Sequence, residues 1–168
     1  MKKMALVFAL LFVTVVVFGQ EFTFQGLPWG STREQVIEKL GKPTFEAENR
    51  IIYSDVFVVG YSARLQVEFD HGLSVAGYKF NVSQPLQTYE AIIIQLIGKY
   101  GDPFAMKINT TSKNEYPYFA IWNHAYFHII IQIEENGRLE MGYYSDLAWQ
   151  KIIGNMNMEP YKINKLEL

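Results

Sequence analysis

The sequence predicts an α+β fold: a tandem repeat of a helix followed by antiparallel β-hairpins, with the helices packed on one face of a continuous antiparallel sheet. Three observations predict it. "KLGKP" at 39–43 and "KYGDP" at 99–103 end two helical stretches with the same Gly-x-Pro stop, at an offset of 60. "FDHGLSVAGY" and "EENGRLEMGY" then match at an offset of 65, His71-Gly72 with Asn136-Gly137 and Gly77-Tyr78 with Gly142-Tyr143. Self-similarity at a fixed period is the mark of a repeated supersecondary unit, and loops between the matches absorb the five-residue slip. The third observation is strict alternation of apolar and polar residues in the segments between, the pattern of a sheet covered on one side.

The chain opens with a leader. Lys2 and Lys3 precede a 15-residue uncharged apolar run at 4–18, and Gly19 follows. That is the layout of a secretory signal peptide over 1–19, and the run is shorter than the roughly 20 residues a membrane-spanning helix needs. The organisation read from the sequence is a signal peptide at 1–19, a first repeat at 20–82, a second at 83–145, and a short helix and tail at 146–168.

Helix one follows "WGSTREQVIEKL". Ser31 and Glu34 make a capping box, Val36, Ile37 and Leu40 give an apolar stripe, and Gly41 and Pro43 stop the helix. Strands are expected near 51–59, 61–69 and 74–81. Tyr61, Ala63, Leu65, Val67 and Phe69 alternate with Ser62, Arg64, Gln66, Glu68 and Asp70. Helix two starts at Pro85. Leu86, Tyr89, Ile92, Ile93, Leu96, Ile97 and Tyr100 line one face, and Ala91 and Ile94 widen it, so it is expected to be largely buried. Further strands are expected near 105–111, 118–122, 127–133 and 138–144. In the third of these Tyr126, His128, Gln132 and Glu134 share a wet face with one apolar residue, Ile130. His71-Gly72 and Asn136-Gly137 are hairpin turns, the Asn-Gly pair pointing to type I′.

Composition narrows function. No cysteine is present, so neither a disulfide nor a thiol nucleophile nor a lipid-bearing Cys is available. Without Lys2 and Lys3 the chain carries 13 basic and 17 acidic residues, with no basic stripe, which speaks against nucleic acid and anionic membranes. Aromatics are 15% of the chain, suiting both strands and binding surfaces. No phosphate-binding loop, dinucleotide fingerprint or nucleophile elbow occurs. No cofactor is expected.

Two constellations offer chemistry. His124 and His128 have the spacing of a zinc helix, but in strand sequence i and i+4 lie about 13 Å apart, too far for one ion. Glu68, Asp70 and His71 offer an acid–base cluster, yet His71 aligns with Asn136, as a turn position would. Trp29 and Trp122 read first as core aromatics. Asn81-Val82-Ser83 and Asn109-Thr110-Thr111 match the glycosylation pattern.

"WGSTREQVIEKLGKP", "YKF", "KYGDP", the Trp-bearing strand and "YYS" together resemble a family of exported bacterial proteins. More broadly they resemble the β-lactamase-inhibitor-protein fold and the outer-membrane assembly lipoproteins of the SmpA/OmlA type, over about 26–145. The resemblance implies helix-plus-sheet units that bind other proteins. The chain lacks the lipoproteins' Cys and the inhibitor's cysteine pairs, and no functional residue carries over.

The function expected is therefore that of an exported, non-enzymatic binding protein, periplasmic or secreted and monomeric. It would recognise a protein or peptide of the cell envelope through the uncovered sheet face. The expected binding residues are Arg64, Gln66, Glu68, Tyr126, His128 and Gln132. A membrane is contacted only through an uncleaved leader. Two alternatives are a periplasmic small-molecule or lipid carrier with an aromatic pocket near Trp122 and Tyr89, and a hydrolase using Glu68, Asp70 and His71.

Overall fold

A computed structural model describes residues 23–108 and 118–155. The signal-peptide segment, the 109–111 sequon and the tail beyond 155 lie outside the described residues. A small hairpin, β1 (Thr23–Phe24) and β2 (Leu27–Pro28), leads into α1 (Arg33–Leu40). Four strands follow: β3 (Phe45–Ala47), β4 (Arg50–Val58), β5 (Tyr61–Phe69) and β6 (Leu73–Phe80). Helix α2 (Pro85–Tyr100) precedes β7 (Ala105–Ile108), β8 (Tyr118–Asn123), β9 (Phe127–Ile133) and β10 (Leu139–Ser145), and α3 (Asp146–Asn155) closes the order. The eight longer strands form one antiparallel sheet in the order β3-β4-β5-β6-β10-β9-β8-β7. Each four-strand meander follows a helix, and the two meanders meet along β6 and β10.

Partners in register put their side chains on the same side of a sheet. One side therefore carries Ile51, Val67, Ala76, Tyr143, Ile129 and Trp122 in one row, and Tyr53, Leu65, Tyr78, Met141, Ile131 and Ala120 in the next. We call this the inner face. Val36 of α1, Tyr89, Ile92, Ile93 and Leu96 of α2, and Phe24 and Leu27 of the small hairpin pack onto it in a single core. The Phe24 ring lies 6.0 Å from Tyr78 and 5.7 Å from Tyr143. Trp122 donates Nε1–H to the Gly101 carbonyl at 2.8 Å, tying the end of α2 to β8.

Both helices stop as the Gly-x-Pro pattern requires. Gly41 and Gly101 take φ of 89° and 78°, and their N–H groups bond the Ile37 and Ile97 carbonyls. The cap of α1 is one residue later than the sequence suggests. Thr32, not Ser31, accepts from the Gln35 N–H, and the Gln35 side chain returns the bond. Ser31 is withdrawn because its hydroxyl donates to the Pro28 carbonyl at 2.7 Å and its own carbonyl accepts from Leu73 N–H. Ile94, expected to widen the buried stripe of α2, is 70% exposed: the helix buries one side only.

The two hairpin tips differ. Asp70, His71 and Gly72 join β5 to β6, with His71 and Gly72 at positive φ. Between β9 and β10 the type I′ reading fails, because of Asn136 and Gly137 only the glycine has positive φ. Asn136 Oδ1 instead accepts from Arg138 N–H at 2.8 Å, and Glu134 and Gly137 close a wider turn. A bulge interrupts the β4–β5 register between Tyr53 and Val56, with Asp55 at φ 57°.

The expectation that helices cover one face only is overturned by α3. Trp149 packs with Ala105 and Ile121 in a second, separate core, flanked by Phe119, Ile130 and Tyr144. In register these sheet residues belong to the side opposite the main core. The physical reason is that Phe119, Ile121 and Ile130 make the outer side of β8 and β9 too apolar to leave wet. Among the described residues no helix is long and apolar enough to cross a membrane.

Candidate functional site

What α3 leaves open on the outer face is centred on the seam between the meanders. Three rows of partners cross it. Glu68, Val75, Tyr144 and His128 form the first, Gln66, Gly77, Gly142 and Ile130 the second, and Arg64, Lys79, Glu140 and Gln132 the third. The middle row holds two glycines side by side, so it has no side chains where the seam crosses it. A cavity of about 190 Å³ lies there, lined among others by Gln66, Glu68, Lys79, Gln132, Glu140 and Tyr144.

The glycines are unequal. A Cβ on Gly142 would stand 2.5 Å from the Tyr144 hydroxyl oxygen, so the phenol lies over this glycine. A Cβ on Gly77 would meet nothing within 4 Å. The space over Gly77 is thus open, and Tyr144 lines the same cavity.

Its polar groups are matched in two ways. Glu140 faces the Lys79 ammonium at 2.9 Å, with only a fifth of the Glu140 side chain exposed. Glu68 takes a 2.6 Å hydrogen bond from the Gln66 amide. Glu140 thus has a close ion pair, whereas Glu68 accepts from a neutral amide and faces Arg50 of β4 in register. Burial, then the charges of Glu140 and Glu68, push the Tyr144 phenol up to about 12.

The six residues expected to bind are not all together. Gln66, Glu68 and Gln132 line the cavity, and Arg64 is exposed at the β5 end of the Lys79, Glu140 and Gln132 row, outside the lining. Tyr126 lies outside the strands, in the turn between β8 and β9. Residues 124–126 bend there, which breaks the strand alternation that placed it on the face, and its side chain is 62% exposed at the loop. His128 does point to the outer side, but it is only 7% exposed. Trp149 stacks on its imidazole at 4.7 Å and 12°, and its nitrogens meet Asn123 Oδ1 at 3.0 Å and Asp146 Oδ1 at 3.3 Å. Burial pulls its pKa below the usual value, against the pull of Asp146. His128 anchors α3 and is not a contact residue. Lys79, Glu140 and Tyr144 were missed. The matching "GY" pairs at 77–78 and 142–143 mark the seam they surround.

The other chemical candidates fall apart. His124 stacks on Phe127 at 4.6 Å and neighbours Tyr100 of α2 on the inner side, whereas His128 lies under α3 on the outer side. Among the described residues no group of three metal-ligating side chains assembles. Asp70 is held by Lys151 of α3 and lies 3.8 Å from His71 Nε2, and the His71 side chain is 98% exposed at the hairpin tip. Trp122 and Tyr89 are buried in the main core. A second depression, of about 640 Å³, borders Trp29, Gln35, Glu38 and Lys39 beside α1.

No protein-family model matches the chain, and no curated protein matches it. Neither the β-lactamase-inhibitor family nor the assembly lipoproteins are shown. Among solved structures, the crystal structure of a DUF4309 family protein (YjgB) from Bacillus subtilis subsp. subtilis str. 168 is similar at a TM-score of 0.46 and 12% identity. The likeness covers 73% of this chain and 84% of that one.

Proposed function

We propose that this is an exported, non-enzymatic binding protein that recognises a protein or peptide through the open part of its outer sheet face. The leader at 1–19 supports export to the periplasm or the medium. The observation that carries the reading is the glycine-floored depression at the seam, edged by Gln66, Glu68, Lys79, Gln132 and Glu140, with Arg64 beyond it. A depression of this kind can take an anchoring side chain of a protein partner, as pockets at interface hot spots do. Tyr126 extends the surface at its loop end, and His128 holds the roof that limits it.

The proposal includes a duplication. Gly77 and Gly142, equivalent at the offset of 65, are direct partners in register, and a helix precedes each meander. Two copies related about the seam would produce that pairing, as in the β-lactamase-inhibitor-protein fold. The site then lies where the copies meet.

Photo-crosslinking in the producing cell tests the reading. A crosslinker placed at Arg64 or Gln132 is expected to capture one common partner, while one at Glu90, on the exposed side of α2, does not. Equal capture from Glu90, or none from the sheet face, would remove this surface from consideration.

A further inference from the structure

We infer that α3 is a built-in competitor for the binding face: Trp149 occupies a seat in its apolar half, and an aromatic side chain of the partner replaces it there. The inference deepens the proposed function and rests on it. The open depression and the second core belong to one trough. The middle row of the outer face, Gln66, Gly77, Gly142 and Ile130, continues in register through Ile121 to Ala105. Trp149 packs on the last two. Ile130 and Tyr144 both line the depression and flank that core. One half of the trough is therefore open over glycine, and the other is apolar and roofed.

The roof is separable from the fold beneath it. Among the side chains described over 146–152, Trp149 alone is buried. Its small core is distinct from the main one. The polar ties run from Asp146 to His128 and from Lys151 to Asp70, and Asp146, Lys151 and Asp70 keep 52%, 65% and 45% of their side chains exposed. Solvated pairs of this kind hold weakly, so α3 can open while the main core stays closed.

The seat also specifies its occupant. The His128 imidazole presents a flat face on which Trp149 stacks at 4.7 Å, and the Tyr144 ring stands 6.1 Å from the indole at 51°. An incoming aromatic ring regains both contacts, whereas an aliphatic chain leaves the imidazole face without its stacking partner. Aromatic anchors of this sort carry much of the binding energy at protein interfaces. With α3 in place His128 meets no partner; with α3 displaced, its face takes the new ring. Affinity is then reduced by the fraction of molecules whose seat is filled from within.

The test uses the purified full chain, 15N-labelled, with N-acetyl-tryptophanamide as the probe and N-acetyl-leucinamide as its control. Trp149→Ala frees the seat and is expected to bind the tryptophan probe at least about tenfold more tightly than the unaltered protein, with saturable shifts at the Ile121, His128 and Ile130 amides. The leucine probe should leave those signals in place. Asp146→Ala keeps Trp149 and cuts one tie, so it should show a smaller gain and faster amide exchange in α3, and it serves where the truncation does not fold. Equal affinity in all three proteins, no binding to folded Trp149→Ala, or equal shifts from the leucine probe would each overturn the inference. In the producing cell, a crosslinker at Gln132, in register with Phe119 beside the roofed half, should capture the partner more strongly from either variant. Capture from Arg64 and Gln132 that neither variant changes keeps the binding surface and removes the competition by α3. Absence of capture from the unaltered protein removes the binding reading itself.

Discussion

The Trp149 indole lies flat on the His128 imidazole, 4.7 Å between centroids and 12° from parallel. This single stack decides how much of the outer face is available. Trp149 fills the second core with Ala105 and Ile121, and together with the Asp146–His128 and Lys151–Asp70 contacts it pins α3. Trp149→Ala is expected to cost about 3 kcal/mol, the low end for truncating a buried aromatic, because the site is near the surface. Denaturant unfolding measures the loss. Hydrogen exchange should show α3 opening before the rest of the sheet.

His128 gives stability a pH dependence. Its folded pKa is depressed by burial, with Asp146 opposing, so the folded state binds the proton less readily than the unfolded chain. Its contribution is therefore complete above the unfolded value of about 6.5 and is lost as pH falls from there through the folded value. Thermal melts from pH 8 to pH 5 should show a falling midpoint. His128→Phe, which keeps a ring under Trp149, should flatten that slope. An unchanged slope in the variant would assign the effect elsewhere.

Asp70 acts in the same direction at lower pH. The hydrogen bond and charge of Lys151 hold its carboxyl below the usual range, so this contribution is present above the unfolded carboxylate value and fades as acid protonates it. Lys151→Met is expected to reduce acid sensitivity below about pH 4 and leave the His128 region of the profile unchanged.

Gly72 and Gly30 come too close for a side chain on the former. A Cβ on Gly72 would stand 2.3 Å from the Gly30 carbonyl oxygen, and Gly72 already has φ of 118°. Gly72→Ala is expected to destabilise by at least about 2 kcal/mol, combining the forbidden backbone region with overpacking. The Gly30 and Leu73 hydrogen bonds that join α1's approach to the β5–β6 hairpin should fail first, seen as faster amide exchange there.

The seam glycines should respond oppositely. Gly77 has open space and no positive φ, so Gly77→Ala is expected to stabilise by about 0.5–1 kcal/mol through the unfolded chain. Gly142→Ala must displace the Tyr144 ring and is expected to destabilise. Paired melts decide it, and the same sign in both would contradict the geometry.

Local punctuation was the legible part of this sequence. Gly41 and Gly101 end their helices with the same backbone geometry because Gly-x-Pro allows little else. Strand alternation placed Arg64, Gln66, Glu68 and Gln132 on the outer side correctly, since a pleat leaves no choice once the register is set. Tyr126 failed where that alternation met a bend, which no periodicity announces. The roof over His128 was hidden for a different reason. The 146–155 segment is short and weakly patterned, and Trp149 finds its partners far away in sequence, at Ala105 and Ile121. A trace was present: Ile130 stood on a supposedly wet face, and Ile121 and Phe119 share its side. Ser31 was misread as the cap because a hydroxyl one residue early satisfies the same pattern, and only the Pro28 carbonyl shows where it goes.

The bulge at Asp55 bears on how the protein survives at high concentration. β3 pairs with only Arg50, Ile51 and Ile52, leaving the rest of β4 as a bare margin on which a second chain could template. Asp55 sits in that stretch with its backbone turned to positive φ, and the Ser54 N–H is spent on the Thr44 hydroxyl. A kinked, charged rim is a poor seed for cross-β stacking. Straightening it, by deleting Asp55, is the change that would invite fibrils.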